Sequence, residues 1–311
     1  MFTFQMIMNK KQINQINQIN QINQINQINQ INQQNIITLV TCWYLVKSKF
    51  SHEKYVSWIQ NLLSIVNNFN LVIYTDLNSY KYICKIHNLT NNANIMVVFK
   101  SFHQFYTYKY KEQWINNHNK SIMQLHKITD WKLNMIWNEK IFFVQDAYYK
   151  NYFNTHLYAW CDIGYFRNNF DDLNTKFLYN WPNNEKLKKE PFTIPAIHYA
   201  CVQNDNNEYL RISTNIKKHY ANNEIKELDE PNPNYECVCF AGGFFLLQKQ
   251  LIDYYAKIYV DKLEYYFANN YFIKDDQTIV NDLIFTNSNL FYIHNENTKY
   301  NNWFMFQRLL G

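Results

Sequence analysis

Ile36-Ile37-Thr38-Leu39-Val40-Thr41-Cys42-Trp43 is apolar and β-branched almost throughout, with threonine the one polar residue type. A short run of that kind is a buried strand. Downstream of it, Tyr55, Trp58, Ile59, Leu62, Leu63 and Val66 fall on one helical face. Leu71-Val72-Ile73-Tyr74-Thr75-Asp76 reads as a second strand, a short helical stretch follows, and Ile95-Met96-Val97-Val98-Phe99 reads as a third. Strand, helix, strand, helix, strand at this spacing predicts an α/β fold, with a parallel sheet and right-handed crossovers.

Upstream, residues 12–32 are seven copies of Gln-Ile-Asn. A period of three matches neither helix nor strand, so residues 1–34 are expected to be a disordered low-complexity tail and residues 35–311 the folded domain. Farther downstream, residues 121–150 read as helical with a break near Asp130, and Leu157-Tyr158-Ala159-Trp160-Cys161 as another buried strand. All the prolines lie between Pro182 and Pro233, a polar segment with a short strand expected at Thr193 to His198. Cys237 to Leu247 reads as a long apolar strand pair or a strand bent around Gly242-Gly243, followed by helices near 249–269 and 275–285 and a last strand at Leu290 to His294.

The 311 residues are 47% hydrophobic and 18% aromatic, enough for a sizeable core. Asn, Ile, Lys, Tyr and Phe, the favoured residues, share AT-rich codons, so the composition carries little functional weight. A formal net charge of +5, spread over scattered lysines, lacks the basic stripe of a nucleic-acid binder. Cys42, Cys84, Cys161, Cys201, Cys237 and Cys239 include no CxxC pair. Buried free thiols in a reducing compartment are the simpler expectation. No apolar run reaches membrane-spanning length, and the charges of the first residues follow their apolar part, the wrong order for a signal peptide. The expectation is therefore a cytoplasmic, intracellular protein.

Only four glycines occur, at 164, 242, 243 and 311. A dinucleotide GxGxxG fingerprint and a GxxxxGKS/T phosphate loop are both ruled out. The internal glycines instead sit beside strand ends, where a backbone turns sharply or lets a ligand approach. In open α/β sheets ligands bind beyond the carboxyl ends of the strands. Thr41, Asp76 and the Asp162-Ile163-Gly164 turn stand at such ends, each open to a plain capping or turn role as well.

The segments Trp137-Asn138-Glu139-Lys140, Tyr158-Ala159-Trp160-Cys161-Asp162-Ile163-Gly164-Tyr165-Phe166-Arg167, Ala241-Gly242-Gly243-Phe244 and Asp275-Asp276-Gln277 occur in this order. With them the chain, from Ile36 to Trp303, resembles the bacterial HtrL/YibB (WlaTC-type) glycosyltransferase-like proteins. That resemblance implies a GT-A-like three-layer sandwich with a mostly parallel central sheet. It implies transfer of a sugar from a nucleotide-sugar donor to a glycan or other hydroxyl-bearing acceptor. Asp162 and Gly164 then stand where such enzymes carry an Asp-x-Asp motif, Gly242 and Gly243 where a loop approaches the donor, and Asp275 and Asp276 where an acidic residue faces the acceptor. Asp276, then Asp275, is the candidate base; helix N-capping is the alternative for the pair. Thr41, Asp76, Lys140, Arg167 and Gln277 complete the expected donor site.

The same resemblance implies Asp162 and His294 as ligands of a divalent Mn²⁺ or Mg²⁺ ion, an ordinary strand-end histidine being the alternative for His294, with Lys140 and Arg167 as the metal-free alternative for neutralising the diphosphate. Gly164 stands in place of the second Asp. That departure keeps open a catalytically inactive GT-A-fold protein that binds a glycan or a protein partner. Trp137, Trp160 and Trp181 read as core.

Overall fold

The apolar runs upstream of Asp162 all become strands: β1 (Ile37–Cys42), β2 (Asn70–Thr75), β3 (Ile95–Phe99) and β4 (Leu157–Cys161). The computed structural model describes residues 35–86, 92–119, 125–167, 178, 180–202, 240–273, 275–296 and 300–311. Within them β1 pairs in parallel with β2 and β4, and β2 in parallel with β3. Alternation along β1 sorts its side chains between two cores. Ile37 and Leu39 join Leu71 and Ile73 on one face, whereas Val40 and Cys42 join Val72 and Tyr74 on the other.

Helices cover both faces, giving a three-layer α/β sandwich. On the first face α1 (His52–Ser64) buries Ile59, Leu62 and Leu63, and α2 (Leu77–Ile83) buries Ile83. On the second lie α3 (Lys111–Asn119), α4 (Trp131–Asn138), α5 (Lys140–Lys150), α6 (Ile252–Ala268) and α7 (Asp276–Thr286). The expected break at Asp130 is present. The Asp130 carboxylate accepts from Lys132 N at 2.9 Å and starts α4.

The second half of the sheet departs from a simple parallel series. β5 (Ile197–Ala200), β6 (Phe244–Gln248) and β7 (Phe291–His294) complete the order β3-β2-β1-β4-β6-β5-β7. β6 runs antiparallel to both β4 and β5, and β5 parallel to β7. The strand expected at Thr193 starts only at Ile197, because Pro195 has no N–H to give a ladder. Gly242 and Gly243 form the turn before β6 rather than a bend inside it.

Two 3₁₀ turns (Phe102–Gln104 and Tyr106–Tyr110) ahead of α3, and a C-terminal helix α8 (Met305–Leu309), were not legible as elements. Cys42, Cys161 and Cys201 are buried free thiols, as expected, while Cys84 is exposed. The expectations for residues 1–34, for Cys237 and Cys239, and for most of the proline-bearing segment lie outside the described residues. Among the described residues no helix is long and apolar enough to cross a membrane.

Candidate active site

The carboxyl ends of β1 and β4 open into a cleft of roughly 520 Å³. Its floor is assembled from segments far apart in the chain. Asp162 directly follows β4, and its backbone N–H donates to the Gly243 carbonyl at 2.8 Å, which fixes the glycine turn to the end of that strand. The Trp160 indole Nε1 donates to Asp162 Oδ1 at 2.7 Å and sets the carboxylate's rotamer. Lys140, the first residue of α5, sends its Nζ into the same spot. It lies 2.7 Å from the Gly242 carbonyl, 2.9 Å from Asp276 Oδ2 and 3.2 Å from Asp162 Oδ1. Three acceptors match the three protons of an ammonium. The Lys140 and Asp276 side chains are only 6% and 7% exposed, against 30% for Asp162.

Asp275 and Gln277 serve the helix as well as the cleft they line. Asp275 is the N-cap of α7, its carboxylate accepting from Gln277 N at 3.2 Å, so the capping reading of this residue holds. Gln277 Nε2 donates to the Phe240 carbonyl at 2.9 Å, tying α7 to the chain just before the glycine turn. Gly242 is needed for closeness. A Cβ there would stand 2.5 Å from Asp276 Oδ2 and 2.9 Å from Gln277 Cγ. Gly164 has a similar reason, because its Cβ would stand 2.7 Å from Trp58 Cε3. The ring of Trp58 fills the place where any side chain at position 164 would branch.

That same ring carries Arg167. The guanidinium lies 4.9 Å from the Trp58 ring centroid and 5.5 Å from that of Phe50, and its Nε donates to the Gly164 carbonyl at 2.8 Å. No carboxylate pairs with Arg167 among the described residues, and it lines the cleft. A fork of donors held over aromatic rings is a ready anion anchor.

Burial pushes the Asp276 carboxyl up to about 7, with Lys140 opposing and Asp275 and Asp162 adding to the rise. For Lys140 burial acts against the ammonium, but Asp162 and Asp276 more than offset it and hold the group above the ordinary lysine value. Burial also raises the Cys42 thiol at the cleft wall, so it is held as an inert neutral group.

The structure thus gathers Lys140, Asp162, Gly164, Arg167, Gly242, Gly243, Asp275, Asp276 and Gln277 around one cleft. Three residues named beside them lie elsewhere. Thr41 is fully buried, and its Oγ1 finds no hydrogen-bond partner among the described residues. The Asp76 carboxylate accepts from Ser79 N at 2.7 Å and caps α2, as an Asp at a strand end often does. His294 ends β7, separated from β4 by β6 and β5. Three inter-strand spacings put it about 14 Å from Asp162. It instead meets His198, with Nδ1 of His198 and Nε2 of His294 3.1 Å apart. Asp162 and His294 therefore do not form a ligand pair. Among the described residues no group of three or more His, Cys, Asp or Glu side chains is placed to hold a metal ion.

Two features escaped the sequence reading. Trp137, taken as core, is half-buried at the cleft wall with Lys49 Nζ 5.0 Å from its ring centroid. Trp160 and Trp181 are core residues as expected, although the Trp160 indole also holds Asp162. Glu139 is fully buried at the junction of α4 and α5. It accepts from Tyr106 N at 2.6 Å, Thr107 N at 2.9 Å and Thr107 Oγ1 at 2.6 Å. Burial, opposed by these bonds, brings its carboxyl up to about 7. Glu139 thereby pins the 3₁₀ turn to the helix start from which Lys140 projects. The Trp-Asn-Glu-Lys order was the available signal, since a charged residue beside an apolar helix start needs a partner. No family model matches this chain, and no curated protein matches it in sequence.

Proposed function

We propose that this protein is a glycosyltransferase with a GT-A-like sandwich, moving a sugar from a nucleotide-sugar donor to a hydroxyl acceptor. The observation that carries the reading is Arg167, an anion anchor without a carboxylate partner among the described residues, in the same cleft as the Asp162–Lys140–Asp276 cluster. A sugar nucleotide presents a diphosphate, a base and a sugar, and the cleft offers groups for each kind. Arg167 takes the diphosphate, whose charge grows as the glycosidic C–O bond breaks. The aromatic walls, with Trp137 and Trp43 among them, take ring faces. Asp276, with its carboxyl near 7, takes the proton of the acceptor hydroxyl as that oxygen bonds to the anomeric carbon.

The order of strands, with the site at the carboxyl end of β4, supports the GT-A-like architecture, and the absence of any GxGxxG segment weighs against a dinucleotide enzyme on the same kind of sheet. The expected divalent metal is left out of this reading, because His294 lies across the sheet from Asp162.

The test is incubation of the full-length chain with UDP-, GDP-, CMP- and TDP-sugars, following release of the nucleotide. Release that drops by about 10²-fold or more in Asp276→Asn supports the reading. A second reading, a glycan or partner binder without catalysis, is favoured by one observation: Lys140 already occupies an oxygen of Asp276. Donor binding without nucleotide release in the presence of varied glycan acceptors is the outcome for that case.

A further inference from the structure

We infer that the Lys140 ammonium is the resident cation of the cleft, held in the position between Asp162 and Asp276 that a divalent metal ion would otherwise take. Its three contacts are all oxygens: the Gly242 carbonyl at 2.7 Å, Asp276 Oδ2 at 2.9 Å and Asp162 Oδ1 at 3.2 Å. Oxygen sets of this kind suit Mg²⁺ and Mn²⁺. Here the position is filled by a covalently tethered charge whose side chain is almost fully buried. A divalent ion brought to the same carboxylates would face the ammonium at close range, where like charges repel.

The surroundings fit a site built for a tethered cation. Two residues beyond Asp162 stands Gly164, and the Trp58 ring occupies the place where a side chain would be, so no further carboxylate reaches the ammonium from there. The histidine at the end of β7 is engaged with His198 at the far edge of the sheet. The donor capacity of Lys140 is also used up by its three acceptors. It therefore balances the carboxylates without reaching a bound anion, and contact with an anionic ligand falls to Arg167, which has no carboxylate partner among the described residues. Glu139, anchored by the Tyr106–Tyr110 turn, fixes the helix start from which Lys140 reaches inward.

Removing the ammonium then leaves a cavity bounded by two carboxylate oxygens and one carbonyl oxygen, which is a metal site in waiting. The inference concerns the cleft itself and does not need the ligand to be a sugar nucleotide. Its test contains no donor, so it fails or succeeds independently of the proposed activity.

The full-length chain is titrated with Mn²⁺ at pH 8 while free aquo-Mn²⁺ is followed by electron paramagnetic resonance. The wild type is expected to leave the ion free at millimolar concentration. Lys140→Ala is expected to take up one equivalent at least tenfold more tightly, and its melting temperature to rise with Mn²⁺ where that of the wild type does not. Uptake of Mn²⁺ by the wild type that disappears in Asp162→Asn would overturn the inference. So would a folded Lys140→Ala protein that takes up none. Should Lys140→Ala fail to fold, the wild type and Asp162→Asn decide the matter alone.

Discussion

Two buried polar clusters sit on this sheet, and they have opposite characters. Lys140, Asp162 and Asp276 meet at the end of β4 with charges of both signs, and each contact is a hydrogen bond or ion pair. His198 and His294 meet between β5 and β7, two groups of like kind packed against Phe192 at 5.3 and 5.4 Å between ring centroids. Opposite charges compensate one another when water is removed; two imidazoles can only be buried neutral. Burial accordingly lowers His198 to about 3, with His294 adding to the effect, and His294 to about 4. One cluster lines a cleft, and the other is sealed by aromatic rings. A polar residue at a strand's carboxyl end is thus not enough to mark a site; its partners decide.

The largest effect expected comes from breaking the first cluster. Lys140→Met leaves the buried Asp276 carboxyl, beside the half-buried Asp162, without its cation, a loss of about 3–5 kcal/mol. Urea unfolding of variant and wild type measures it, and a midpoint equal to that of the wild type would contradict the pairing.

Next comes pH, where the two clusters act with opposite sign. His294 is depressed from 6.5 to about 4, so its contribution is present above pH 6.5 and lost as pH falls through about 4. That loss amounts to roughly 3 kcal/mol. His198, depressed further, behaves likewise to lower pH. Asp276 is raised from 3.8 to about 7, so the stability linked to its protonated form is present below about 3.8 and lost as pH rises through about 7. His294→Phe should remove the gain in stability between about pH 4 and 6.5, and Asp276→Asn the opposing loss between about pH 3.8 and 7, each leaving the other contribution in place.

Gly242→Ala should cost about 1–3 kcal/mol by forcing a Cβ against Asp276. It should also weaken ligand binding, since Gly242 and the Asp276 it would displace both line the cleft. Asp76→Ala is the contrast within the original set of candidates. It removes only the α2 cap, about 1 kcal/mol, and should leave ligand affinity unchanged in a calorimetric titration.

Much of the first half of the fold was legible because periodicity is local. The apolar runs of β1 to β3 and the face of α1 lie within one stretch of chain, and their spacing dictates a parallel series. β6 was legible as a strand but not as antiparallel, because an apolar strand carries no mark of its direction. His294 was misplaced for a related reason. Chain order suggests nothing about the insertion of β6 and β5 between β4 and β7.

Strand ends and glycines pointed to Asp162 and Gly242, and Asp276 joined them only through the family resemblance. The commitment of Lys140 to this grouping was not foreseen, since two of its three partners are 102 and 136 residues away. The 3₁₀ turn at Tyr106–Tyr110 was hidden because it is held by Glu139, a partner distant in sequence, whereas the short Phe102–Gln104 turn rests on a local Ser101–Gln104 capping box.

The central claim is that the cleft over Asp162 receives an anionic sugar nucleotide through Arg167. Isothermal titration of the full-length chain with UDP-, GDP-, CMP- and TDP-sugars, repeated on Arg167→Ala, tests it most directly. The expected result is saturable binding of at least one donor in the wild type, weakened about tenfold or more in Arg167→Ala, as for loss of a charge-assisted bond. Binding of no donor by the folded wild type, or equal affinity in the variant, would contradict the claim.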